Sequence, residues 1–71
     1  MTLTQLKYII TVADAGSMNL AARELYISQP SLSQAVKELE KEIGVELFCR
    51  SNRGVSITQE GSEFLGYARQ V

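Results

Sequence analysis

The sequence predicts a small, mainly α domain with a three-helix core, a two-stranded β-hairpin and the start of a further helix. Three observations carry this expectation. Apolar residues recur every three or four positions in four stretches, each preceded by a Ser or Thr able to cap a helix. Only the short run Tyr26-Ile27-Ser28 separates the second stretch from the third. Two strand-like runs then flank a link containing Asn and Gly. At 71 residues there is room for one core and no more.

Thr2 opens the first helix as N-cap, with Gln5 placed to reach back in a capping box, and Leu6, Ile9, Ile10 and Ala13 follow at helical spacing. Gly16 closes it. Ser17 caps a second, short helix whose Ala21, Ala22 and Leu25 share one side, the alanines leaving room for another backbone. The turn after it, with Ile27 as its apolar pin, has the length that joins the two helices of a helix-turn-helix.

Ser28 caps a third helix, about residues 29–43, with Pro30 in the first turn, where a missing N–H costs nothing. Leu32, Ala35, Val36, Leu39 and Ile43 form its apolar stripe and Gly44 ends it, leaving Ser33, Gln34, Lys37 and Lys41 on the opposite face. Leu47 to Arg50 and Val55 to Ile57 read as strands around a four-residue link, Ser51-Asn52-Arg53-Gly54, with Arg53 at the tip. Thr58 caps a fourth helix carrying Glu60 in its first turn and a Phe64, Leu65, Ala68, Val71 stripe. The parts fall in the order of a winged helix-turn-helix over residues 1–57, with 58–71 as the start of a linker helix. Because the stripe runs to the last residue without a terminus signal, the chain is expected to be the front piece of a longer protein.

Composition narrows the chemistry. With 45% hydrophobic and 21% charged residues the chain reads as an ordinary globule. It has no His, hence no imidazole base, no His metal ligand and no Ser-His or Cys-His pair. The single Cys49 allows neither an internal disulfide nor a Cys-pair metal site. A core this small hardly supports a deep substrate cavity. No enzymatic activity, catalytic residue, metal or other cofactor is therefore expected. No apolar run reaches membrane-spanning length and the N-terminus lacks a signal-peptide pattern, so the expected location is the cytoplasm with no membrane partner.

The order of parts points to double-stranded DNA, with the third helix in the major groove. Gln34 can pair bidentately with an adenine edge, Ser31 and Ser33 can donate to bases or phosphates, and Pro30 with the Ala35 region can meet a thymine methyl. Lys37 and Lys41 would lie along phosphates, and Ser28 with the free N–H groups of the first turn offers an anion site. Arg53 suits a groove edge or a phosphate at wing residues 51–54.

From Leu6 to Arg69 the chain resembles the N-terminal DNA-binding domain of LysR-type bacterial transcriptional regulators. The matching residues are Ala13 to Ser17 ("ADAGS"), Ala21-Ala22 with Leu25, Ser28 to Ser33 ("SQPSLS"), Leu39-Glu40, Gly44-Val45, Leu47-Phe48, Arg50, Arg53-Gly54, and Thr58 with Gly61. The resemblance implies a repressor or activator that binds promoter DNA as a homodimer or tetramer, pairing through the helix that begins at Thr58. It also implies a downstream domain, absent from this chain, that binds a small-molecule effector. On the same ground Gln29, Pro30, Ser33, Gln34 and Arg53 are the expected DNA contacts. Two positions depart from the family pattern. Met18 stands where an aromatic residue is usual, implying either looser packing between the first helices or reliance on a flexible thioether. Gln34 stands where Arg is frequent, exchanging a guanine preference for an adenine preference.

Other residues have plainer readings. Cys49 is expected to act as a small hydrophobe in its strand, and Asp14, Glu24 and the other carboxylates to be solvated. Tyr8 and Tyr67 fit a dimer interface, the core or the surface equally. Two rival functions use the same chain: a winged-helix module that binds protein through the Tyr8, Ile9 and Val12 side of the first helix, and a small enzyme or metal-binding domain.

The net charge of −1 is the best argument for the protein-binding reading. The acid, however, is local. Glu38, Glu40, Glu42 and Glu46 face only Lys41 within residues 38–46, while residues 1–37 and 47–71 each carry one more cation than carboxylates. A polarised domain follows, with its acid away from the end of the third helix that reads bases.

Overall fold

The computed structural model describes residues 2–52 and 54–69. Its elements are α1 (Leu3–Ala15), α2 (Met18–Leu25), α3 (Gln29–Ile43), β1 (Phe48–Ser51), β2 (Gly54–Ile57) and α4 (Gln59–Ala68). Each helix begins at the residue able to cap it. Thr2 and Gln5 form a reciprocal capping box, and Ser17, Ser28 and Thr58 accept the backbone N–H groups of Leu20, Ser31 and Gly61. Gly16 and Gly44 close α1 and α3 in left-handed conformation.

Helix α1 packs against α2, α3, α4 and β2, with α2 against α3 beside it. The core joins Ile9 and Val12 of α1, Met18, Ala21 and Ala22 of α2, Leu32, Val36 and Leu39 of α3, then Leu47, Phe48 and Leu65. Met18 is buried in this core. Ile27 pins the inter-helix turn as expected, packing on the core from a half-buried position.

Several expectations are revised. Val12 is fully buried and Ile9 nearly so, while Leu6, Ile10 and Ala13 are only half-buried, so the stripe of α1 is rotated toward Val12. Adjacent apolar residues made the face ambiguous by periodicity, and packing chose it. The Ile9 and Val12 side is therefore core, and the protein-binding surface read from it does not exist. Leu47 lies outside the first strand because its N–H is diverted to the Glu40 carboxylate at 2.6 Å, although its carbonyl still accepts from Thr58 N, the residue opposite it, at 3.0 Å. At the other end the pairing reaches one residue further into the link on each side, with Ser51 opposite Gly54.

Gly54 makes that closure possible. Its φ of 123° is open only to glycine at low cost, and a Cβ would sit 2.6 Å from the Gly16 carbonyl oxygen. That same carbonyl accepts the Val55 N–H at 3.0 Å, so the hairpin is fastened to the α1–α2 corner. Cys49 faces solvent instead of packing as a small hydrophobe, because its strand buries only Phe48. Several carboxylates also have partners, and two of them tie elements together. Glu40 bonds the Leu47 and Phe48 amides, and Asp14 pairs with Arg69 at 2.7 Å, joining the ends of α1 and α4. Tyr8 packs on the core, whereas Tyr67 is exposed. The predicted stripe residue Val71 lies outside the described residues.

Candidate nucleic-acid interface

The first turn of α3 stands at the surface because Leu32 anchors it from below while Ser28, Pro30, Ser31 and Gln34 remain exposed around it. Gln29 and Ser33 are half-buried. Local hydrogen bonds decide what each side chain has left to offer. The Ser28 hydroxyl donates to Ser31 Oγ at 2.8 Å and accepts the Ser31 amide at 3.2 Å, so Ser28 keeps one lone pair to offer and the Ser31 hydroxyl hydrogen is the one free to face outward. Gln29 Nε2 donates to Ser33 Oγ at 3.2 Å, again leaving the Ser33 hydroxyl hydrogen available. Gln34 Nε2 donates to Glu38 Oε1 at 3.1 Å.

Lys37 extends into solvent one turn along the same face, with no hydrogen bond or ion pair to any described residue. Pro30 is exposed at the helix tip, an apolar surface suited to a methyl group. Arg53 lies outside the described residues. Seven of the eight predicted contacts therefore gather on the N-cap and the first nine residues of α3.

The structure adds residues that sequence reasoning missed. A cleft of about 400 Å³ opens between the start of α2 and the hairpin, lined by Ser17, Asn19, Gln29, Arg50, Asn52 and Val55 among others. The amides at the start of α2 bring partial positive charge to it. Arg50, exposed on β1 and without a hydrogen bond or ion pair among the described residues, brings a full one. This is the chemistry of a phosphate seat, beside the helix tip that would read bases. Arg50 escaped the sequence reading because it read as a strand residue in the hairpin.

Among the described residues no group of three or more His, Cys, Asp or Glu is placed to hold a metal ion. Among them, too, no helix is long and apolar enough to cross a membrane.

Known proteins share this arrangement. The family model described as bacterial regulatory helix-turn-helix protein, lysR family, matches residues 3–62. The chain is 46% identical over 71 residues to the HTH-type transcriptional regulator TfdT of Cupriavidus pinatubonensis (strain JMP 134 / LMG 1197), covering all of this chain and 31% of that protein. It is 45% identical to ClcR of Pseudomonas putida, covering 24% of it. The chain thus spans between about a quarter and a third of the length of these relatives. Among solved structures, the CbnR DNA-binding domain in complex with DNA superposes with a TM-score of 0.94 at 46% identity, over 99% of this chain and 80% of that one. The BenM DNA-binding domain with benA site 1 DNA gives 0.93 at 40% identity, over 99% and 79%. By sequence and by fold, the chain belongs to the LysR family of bacterial regulatory helix-turn-helix proteins.

Proposed function

We propose that this chain is the sequence-specific, promoter-binding domain of a LysR-type transcriptional regulator. The observation that carries the reading is the convergence of two surfaces: the polar first half of α3, aimed outward over Leu32, and the cleft where Arg50 meets the start of α2. The first has the donors and acceptors of base edges, and the second has the charge of a backbone seat. Ser28, Gln29, Pro30, Ser31, Ser33, Gln34 and Lys37 contact DNA from α3, Arg53 contacts a groove edge or phosphate from the wing, and Arg50 joins them on phosphate.

In the whole regulator, residues 58–71 begin a linker helix through which copies pair as a homodimer or tetramer. A small-molecule effector acts through a further domain. The chain's coverage of only 24% to 31% of its relatives supports that division. The work is done in the cytoplasm, without catalysis.

Fluorescence-anisotropy titration of this chain against promoter-length duplexes at low salt tests the reading. A lone module should bind in the range of roughly 10⁻⁴ to 10⁻⁶ M, with affinity falling steeply as salt rises. Absence of binding to any duplex, by this chain and by a longer dimeric form, would refute it.

A further inference from the structure

We infer that Glu38 is a positioning residue that selects which base Gln34 reads, an assignment resting on the DNA-binding role proposed above. Gln34 and Glu38 lie one turn apart on the exposed face of α3, and Gln34 Nε2 donates to Glu38 Oε1 at 3.1 Å. A carboxamide carries two N–H hydrogens and one carbonyl oxygen, and its terminal torsion turns easily between two faces. A free Gln is thus an ambiguous reader. The carboxylate removes the ambiguity, because it accepts only, and holds the nitrogen end toward itself.

After that bond is made, Gln34 retains its carbonyl oxygen and one N–H. Adenine presents one donor and one acceptor in the major groove, N6–H and N7, which match this remainder one for one. Guanine presents two acceptors, O6 and N7, and pairing with both would require the hydrogen already given to Glu38. The carboxylate's charge adds repulsion against the same two acceptors. Glu38 therefore does two opposed things. It sharpens the choice of adenine over guanine, and it weakens binding to every sequence by placing an anion near phosphates.

These opposite signs make the role testable on the intact 71-residue chain. Wild type, Glu38→Ala, Glu38→Gln and Gln34→Ala are titrated against duplexes that differ only in the base pair facing Gln34, that pair being located first as the one at which Gln34→Ala loses discrimination. Wild type should prefer adenine to guanine by about tenfold, the lower range of one good bidentate pair. Glu38→Ala should bind all duplexes a few-fold more tightly while its preference shrinks to about twofold or less. Glu38→Gln keeps an acceptor oxygen without the charge, so it should gain affinity and keep most of the preference. A purely structural role would instead lower affinity for every duplex together, along with the melting temperature. Full discrimination retained by Glu38→Ala would overturn the assignment, as would a wild type that binds selectively with no position sensitive to Gln34→Ala. Failure of wild type to bind any duplex would overturn the DNA-binding role itself, and this assignment with it.

Discussion

Removing the Glu40 carboxylate should detach the hairpin from α3 and bring the domain close to unfolding. One carboxylate oxygen accepts the Leu47 N–H at 2.6 Å and the Phe48 N–H at 3.2 Å, and both donors belong to buried residues. In Glu40→Ala neither amide has a side-chain acceptor. The shorter bond, charge-assisted, is worth about 2 kcal/mol and the longer one about 1 kcal/mol. The sum of about 3 kcal/mol compares with a net stability of about 3–5 kcal/mol for a domain this small. At about 4–8 °C per kcal/mol, the melting temperature should fall by about 12–24 °C. Glu40→Gln keeps an oxygen in place and loses only the charge, so about half that fall is expected. Thermal unfolding followed by far-ultraviolet circular dichroism measures both. A Glu40→Ala protein melting within about 3 °C of wild type would refute the reasoning, and so would a Glu40→Gln protein as damaged as Glu40→Ala.

The two glycines of α4 should respond in opposite directions. At Gly61 a Cβ would collide with the Leu47 carbonyl, so Gly61→Ala should cost about 1–3 kcal/mol, whereas Gly66 has open space around it and Gly66→Ala should gain about 0.5–1 kcal/mol, both read by urea denaturation. Tyr26 holds a φ of 58° while 95% exposed, so Tyr26→Asn loses no packing and should raise the melting temperature by about 2–8 °C through relief of left-handed strain. Arg50→Ala should weaken binding to specific and random duplexes alike and reduce the salt-dependence slope by about 0.9, one phosphate contact, in anisotropy titrations across a salt series.

What the sequence made legible was what depends on neighbours within one turn. Thr2, Ser17, Ser28 and Thr58 each announced a helix start, and each accepts the amide three residues on. The exposed tip of α3 followed from Pro30 and the Leu32, Val36, Leu39 stripe. Illegible features depend on residues far apart in the chain. Asp14 finds Arg69 across 55 positions, and no local pattern could set aside solvation as the default for either. Glu40 looked like part of an acidic surface run, yet it organises the entry to β1 because the α3–β1 connection folds back over it. The Arg50 cleft likewise joins residues from Ser17 to Val55.

The surface that meets DNA can be mapped directly by following backbone amide signals of the ¹⁵N-labelled chain by nuclear magnetic resonance during titration with duplex DNA. Saturable shifts should gather at Ser17 to Asn19, Gln29 to Lys37 and Arg50 to Gly54, and leave the Leu3, Leu6 and Ile10 side of α1 unmoved; shifts confined to that α1 side, with α3 and the hairpin silent, would contradict the assignment of the interface.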